Sequence, residues 1–208
     1  MKLERRFYPI EVRVSEGEGA QPKIAGTGIV YNQLSVVIWG MFREQVAPGA
    51  FTESMTRRDV RFLWNHNTDY PLGRVGNGTL RLSEDEKGIS FENDPPATSW
   101  GNDAVASLKR GDVSQTSFGF EVVEDDWSID TNEQLIRTIR KGELWEISPV
   151  VFPAYPQTEV GLRGQEVLEA MPTLPEWVRA HLAGKGAAGP VRAHLATRRL
   201  RLALLERI

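Results

Sequence analysis

Ile10, Val12 and Val14 alternate with Glu11, Arg13 and Ser15, the period-two spacing of a strand with one wet face. Residues 23–31 read as a second strand, with Gly26 and Gly28 as bend positions inside it. The apolar run 36–42 predicts another strand. Pro48-Gly49 predicts a turn, and residues 50–58 a short helix with polar residues outward. Residues 60–64 predict a strand with Asn65-His66-Asn67 at its end, and Pro71-Leu72-Gly73 interrupts the chain again. Leu80-Arg81-Leu82 and Ile89-Ser90-Phe91 flank Asp85-Glu86-Lys87-Gly88, a hairpin signal. Thr98 or Ser99 caps a predicted helix running to about residue 110, with Gly111 closing it.

Beyond Gly111, Phe118, Phe120 and Val122 alternate with Ser117, Gly119 and Glu121. This places the Ser117 hydroxyl opposite the two phenylalanines, with Gly119 leaving its own face open to a close approach. Residues 125–133 read as an acidic loop. Residues 134–140, a Lys141-Gly142 turn and residues 143–151 read as a last hairpin, ended by Pro153 and Pro156. Short strands, turn signals and bend glycines favour a mainly β fold with peripheral helices. The expected form is an antiparallel barrel, closed or nearly closed, in place of a doubly wound sheet.

After Arg163 the aromatics nearly vanish and Ala, Leu and Arg dominate, so the expected division is a β-barrel domain over 1–163 and a helical, basic tail over 164–208. Val178-Arg-Ala-His-Leu-Ala recurs from Val191, across a Gly184 to Pro190 break. Arg192, Arg198, Arg199, Arg201 and Arg207 face Glu206 alone. Such a tail suits docking on an acidic surface, or is a solvated terminal helix.

The 208 residues suffice for one domain with a real core plus an appendage. A net charge of −3 gives no reason to expect nucleic acid as the main partner. The chain has no cysteine, which excludes disulfides, a thiolate nucleophile and thiolate-bound metal. No metal spacing and no phosphate-binding glycine loop is found, so no cofactor is expected. Neither a signal peptide nor a membrane span is expected.

Three positions could form a hydrolytic site. His66 is the only histidine outside the tail, and reads either as a base or as a satisfied core residue. Glu146 is the only acid in the apolar run Leu144-Trp145-Glu146-Ile147-Ser148-Pro149-Val150-Val151, where a carboxylate is costly unless paired. Ser117 reads as a nucleophile or as a strand serine bonding a neighbour, with Ser114, Thr116 and Ser148 as local alternatives. Together the three would supply nucleophile, base and orienting acid. The chain has no Gly-x-Ser-x-Gly elbow, which weakens a small-ester hydrolase reading.

Asn65-His66, Pro71-Leu72-Gly73, Ser117-Phe118-Gly119-Phe120, and Glu146-Ile147-Ser148-Pro149-Val150 followed by Pro153-Ala154-Tyr155 stand in one order, after Pro48-Gly49-Ala50-Phe51. This order resembles the prohead maturation proteases of tailed bacteriophages, over about residues 5–163. The family is similar in fold to herpesvirus assemblins, barrel serine proteases wrapped by helices. The resemblance implies a serine endopeptidase with Ser117 as nucleophile, His66 as base and Glu146 as the third member. Assemblins use a second histidine there, and Asn67 stands where the family often has Asp. The oxyanion hole is expected from backbone N–H groups after the last strand. Pro153 has none, so Ala154 and Tyr155 are the candidates. The implied substrate is the major capsid protein or its scaffold segment, and the protease itself. The implied place is the assembling procapsid in the host cytoplasm, and a homo-oligomer is compatible. The rival reading is a non-catalytic capsid assembly or scaffolding factor.

Overall fold

The computed structural model describes residues 3–8, 12–16, 22–38, 40–152 and 174–185. In chain order the strands begin with β1 (Glu4–Tyr8), β2 (Val12–Glu16), β3 (Pro22–Val30), β4 (Phe42–Val46), β5 (Arg61–Trp64) and β6 (Asn67–Arg74). They continue with β7 (Leu80–Glu84), β8 (Gly88–Asn93), β9 (Gln115–Ile129) and β10 (Leu135–Val150). The helices are α1 (Thr52–Arg57), α2 (Ser99–Arg110) and α3 (Glu176–Lys185). Contacts divide the chain into two units. One comprises Met1–Ser35, Gln45–Asp126 and Arg137–Tyr155, the other Val36–Glu44, Trp127–Ile136 and Pro156–Ile208.

The strands form two sheets. The larger runs β1-β9-β10-β5-β6, with β4 also paired to β10, and the smaller runs β2-β3-β8-β7. Most pairings are antiparallel, but β10 and β5 run parallel, with Glu146 opposite Arg61 and Ile147 opposite Phe62. In the first unit the two sheets share one core. Ile24, Ile29, Ile89 and Phe91 of the smaller sheet are buried with Phe62, Leu72, Phe118, Phe120 and Ile147 of the larger. The Phe62 and Phe91 rings meet at 4.9 Å between centroids. Burying each such side chain stabilises the fold by roughly 1.5–3 kcal/mol. The turn at Pro48-Gly49 uses the left-handed φ of Gly49 (81°) and delivers Phe51 into this core. There Phe51 meets Phe118 and Phe120 edge-on at 6.1 and 5.6 Å.

The second unit has its own apolar cluster of Ile38, Phe42, Leu135, Leu174, Val178 and Leu182. Trp127 stands edge-on to Phe42 at 5.0 Å. The first Val-Arg-Ala-His-Leu-Ala copy thus lies on α3, with Val178 and Leu182 buried. The second copy and the arginines beyond it lie outside the described residues.

Helix α2 follows its sequence signals. The Thr98 hydroxyl accepts from the Gly101 N–H, and Gly111 closes the helix at φ 81°. Elsewhere the structure departs from expectation. The described strands make two open sheets and not a closed barrel. At the seams, single side chains replace a ladder: Asn93 Nδ2 donates to the Leu72 carbonyl at 3.2 Å, and Thr116 Oγ1 to the Thr27 carbonyl at 3.1 Å. Gly28 serves packing between the sheets, since a Cβ there would stand 2.7 Å from Ile147 Cδ1.

The expected acidic loop at 125–133 is mostly strand. Asp125 and Asp126 receive Arg137 Nε and Arg140 Nε, each at 2.6 Å, so charges that suggested a loop are paired across strands. The chain turns later, where Asp130 Oδ1 accepts from the N–H groups of Asn132 and Gln134, both at 2.8 Å. Lys141-Gly142 is no turn. Gly142 lies within β10, its N–H donating to the Ala50 carbonyl, and a Cβ there would stand 2.5 Å from Phe51 Cε1. The apolar run 36–42 is mainly irregular, with Ile38 bridging to Phe42.

Candidate active site

The hairpin between β5 and β6 pairs Trp64 with Asn67, leaving Asn65 and His66 as its two turn residues. Both adopt positive φ, 52° and 61°, the pattern of a primed two-residue turn. Asn tolerates this region; a histidine does so less readily, and such strain persists only where surroundings enforce it. The surroundings here are β10. The Asn65 N–H donates to the Pro149 carbonyl at 3.0 Å, and Asn65 Oδ1 accepts from the Val151 N–H at 3.4 Å. The turn is thereby tied to the strand that carries Glu146. His66 is consequently a turn residue and does not continue the alternation of β5.

His66 Nδ1 lies 2.6 Å from Glu146 Oε1. A carboxylate can only accept, so Nδ1 carries a proton, and in the neutral imidazole Nε2 then presents a lone pair. Nε2 is buried and has no hydrogen-bond partner among the described residues. The other carboxylate oxygen, Oε2, accepts from Ser148 Oγ at 2.5 Å. Arg5 Nε approaches Oε1 at 3.9 Å from β1. Glu146 is 5% exposed, so the sequence argument that it needs partners holds, and these are the partners.

Ser117 and Gly119 lie on the β9 face opposite Phe118 and Phe120, which are in the core. A Cβ on Gly119 would stand 2.5 Å from Glu146 Oε1, so the close approach predicted there is made by the carboxylate. Strand β1 pairs with this part of β9, with Phe7 opposite Ser117 and Arg5 opposite Gly119. Ser117 is fully buried, and its hydroxyl donates to the Arg6 carbonyl at 3.0 Å. The structure therefore brings His66 to Glu146, but the expected Ser117–His66 hydrogen bond is absent from this state. Ala154 and Tyr155 lie outside the described residues. Sequence reasoning took Ser148 only as an alternative nucleophile; its place two residues after Glu146, on the same strand face, was the signal for its actual contact.

Strand β1 is held by a buried charge cluster. Glu4 Oε2 meets Arg6 at 2.5 Å and Arg137 at 3.0 Å, and Arg137 also reaches Asp125. Burial pushes the Glu4 carboxyl up, but the Arg6 and Arg137 charges and hydrogen bonds outweigh it and hold it below the usual carboxylate range. Among the described residues no group of His, Asp and Glu could hold a metal ion. No described helix is long and apolar enough to cross a membrane.

An imidazole oriented by a carboxylate on one nitrogen and open on the other is equipped to take a proton from a hydroxyl, the chemistry of serine hydrolases. The model of the caudovirus prohead serine protease family matches residues 8–172, and the chain belongs to that family. It is a serine peptidase, which sets aside the non-catalytic scaffolding alternative. It is similar to the prohead protease of Enterobacteria phage HK97, at 29% identity over 178 residues, spanning 83% of this chain and 74% of that protein. Among solved structures it matches the bacteriophage T4 capsid assembly protease with a TM-score of 0.48 and 11% identity, over 73% of this chain and 98% of that one.

Proposed function

We propose that Ser117 is the nucleophile, His66 the general base and Glu146 the orienting acid of an endopeptidase that cuts shell protein, or its scaffold segment, inside an assembling procapsid. The observation that carries this is the 2.6 Å contact from Glu146 to His66 Nδ1, with Nε2 left without a partner among the described residues. Catalysis begins when the Ser117 side chain rotates away from the Arg6 carbonyl and presents its proton to Nε2. Oγ then attacks the scissile carbonyl carbon while Nε2 takes the proton, and Glu146 stabilises the imidazolium. Collapse of the tetrahedral intermediate breaks the C–N bond, and the leaving amine takes the proton from Nε2. Water, deprotonated by the same nitrogen, releases the acyl group from Ser117. Backbone N–H groups of Ala154 and Tyr155 are the candidates to hold the oxyanion.

The scaffold reads as a barrel opened at two seams, bridged by Asn93 and Thr116, which supports kinship with the assemblin-type barrel. Residues 164–208 are read as the part that delivers the enzyme into the shell. Incubating the purified protein with its shell protein and measuring intact masses tests the assignment. New termini are expected with the wild type and none with Ser117→Ala. Continued processing by Ser117→Ala overturns it.

A further inference from the structure

Glu146 must hold one geometry for His66 to work, and its Oε1 bond alone leaves the carboxylate free to swing about its terminal torsion. Ser148 removes that freedom. Residues 146 and 148 are two apart on β10, so their side chains share a face. Ile147 between them is fully buried in the core, filling the space that Gly28 leaves, and this fixes which way the face points. Pro149 restricts Ser148 to extended backbone, which keeps its side chain upright on that face. The Ser148 hydroxyl has a single proton, and it is spent on Glu146 Oε2 at 2.5 Å in a site where Ser148 is 0% exposed. Gly119 supplies the matching space: any larger residue there would strike Oε1. The carboxylate is thus gripped at both oxygens, one by the imidazole and one by a hydroxyl no mechanistic step consumes.

We infer that Ser148 is a positioning residue of this protease, acting on His66 through Glu146. The inference rests on the triad proposed above. It also gives Ser148 a part distinct from that of Ser117: its hydroxyl is bound to the carboxylate that orients His66.

The test uses the full chain and its shell protein as substrate, with a fluorophosphonate probe to identify the reactive serine. Ser148→Ala is expected to lower kcat on the order of ten- to a hundredfold while KM stays unchanged, because a small misplacement of catalytic groups costs about that much. The downfield proton resonance of His66 Nδ1–H should broaden or move. The probe should still label Ser117, only more slowly. Ser148→Thr, which keeps the hydroxyl, should recover most of kcat. Unchanged kcat and an unchanged resonance, with only a lower Tm, overturn the positioning role and leave Ser148 a structural residue. Should Ser148→Ala not fold, Ser148→Cys keeps the volume with a poor donor and is judged by the same two readouts. Probe on Ser148 in the wild type, or full activity of Ser117→Ala, overturns instead the triad on which the inference rests.

Discussion

Ser117 Oγ donates its only proton to the carbonyl of Arg6, on the neighbouring strand β1, while His66 Nε2 has no partner among the described residues. A hydroxyl engaged in this way cannot simultaneously be deprotonated by the imidazole. If Ser117 is the nucleophile, this bond must break before the serine reacts.

Ser117→Ala should reduce cleavage of shell protein on the order of 10⁴-fold or more, with His66→Ala comparable and Glu146→Gln milder, because the acid orients while the base moves the proton. The lost Ser117–Arg6 hydrogen bond should cost only about 1 kcal/mol of stability. Activity assays beside thermal melts check both halves; a Ser117→Ala protein that fails to fold would show the residue to be structural.

Gly119→Ala tests the space beneath the carboxylate. Glu146 Oε1 is the end of a side chain that could in principle move aside, but moving it breaks its contact with His66. The expected outcome is a folded protein destabilised by about 1–3 kcal/mol, with cleavage reduced at least about tenfold. Retained activity would mean that Glu146 has a second productive position.

Asn65→Ala should destabilise by about 1–2 kcal/mol, because alanine pays for left-handed backbone that asparagine and glycine adopt more easily. Asn65→Gly should recover the backbone part but not the bond to the Val151 N–H. Melting temperatures of the two variants separate these contributions. Equal losses would assign the whole effect to the side chain.

Glu4 gives a pH dependence. Its folded carboxyl titrates below its unfolded value, so its stabilising contribution is present above the unfolded pKa of about 4.3 and is lost as pH falls through the folded value. Glu4→Gln should therefore flatten the acid limb of stability. Because Glu4 anchors the strand whose Arg6 carbonyl holds Ser117, the same variant should react faster with a fluorophosphonate at neutral pH. Unchanged labelling would separate β1 from access to the serine.

Truncation distinguishes two parts of the C-terminal region. Ending the chain at Arg163 removes Leu174, Val178 and Leu182 and uncovers Ile38, Phe42 and Leu135, so lower solubility is expected. Ending it at Lys185 spares these and removes only the segment with Arg192, Arg198, Arg199, Arg201 and Arg207. That shorter deletion should cleave added shell protein normally but be absent from particles. Normal incorporation would assign delivery elsewhere.

Much of the site was legible because local rules decide it. Alternation alone put Ser117 and Gly119 on one face and the phenylalanines on the other, and burial alone demanded partners for Glu146. What was not legible depends on pairing between distant strands. The acidic stretch at 125–126 looks like a loop until Arg137 and Arg140 stand opposite. Gly142 looks like a turn until Phe51 fills its missing side chain. His66 looks like the end of a strand, and only the anchoring of Asn65 to β10 shows that it is a turn residue swung toward the carboxylate.

The contact between His66 and Glu146 joins residues 80 positions apart, and Glu146 and Ser148 lie on the last strand of the larger sheet. During synthesis the imidazole and then the serine emerge before the carboxylate that orients the imidazole. On the proposed assignment, a chain released before residue 146 lacks the group that orients His66. The oriented pair is therefore assembled only when β10 is laid beside β9 and β5, which couples the chemistry of the site to the closing of the larger sheet.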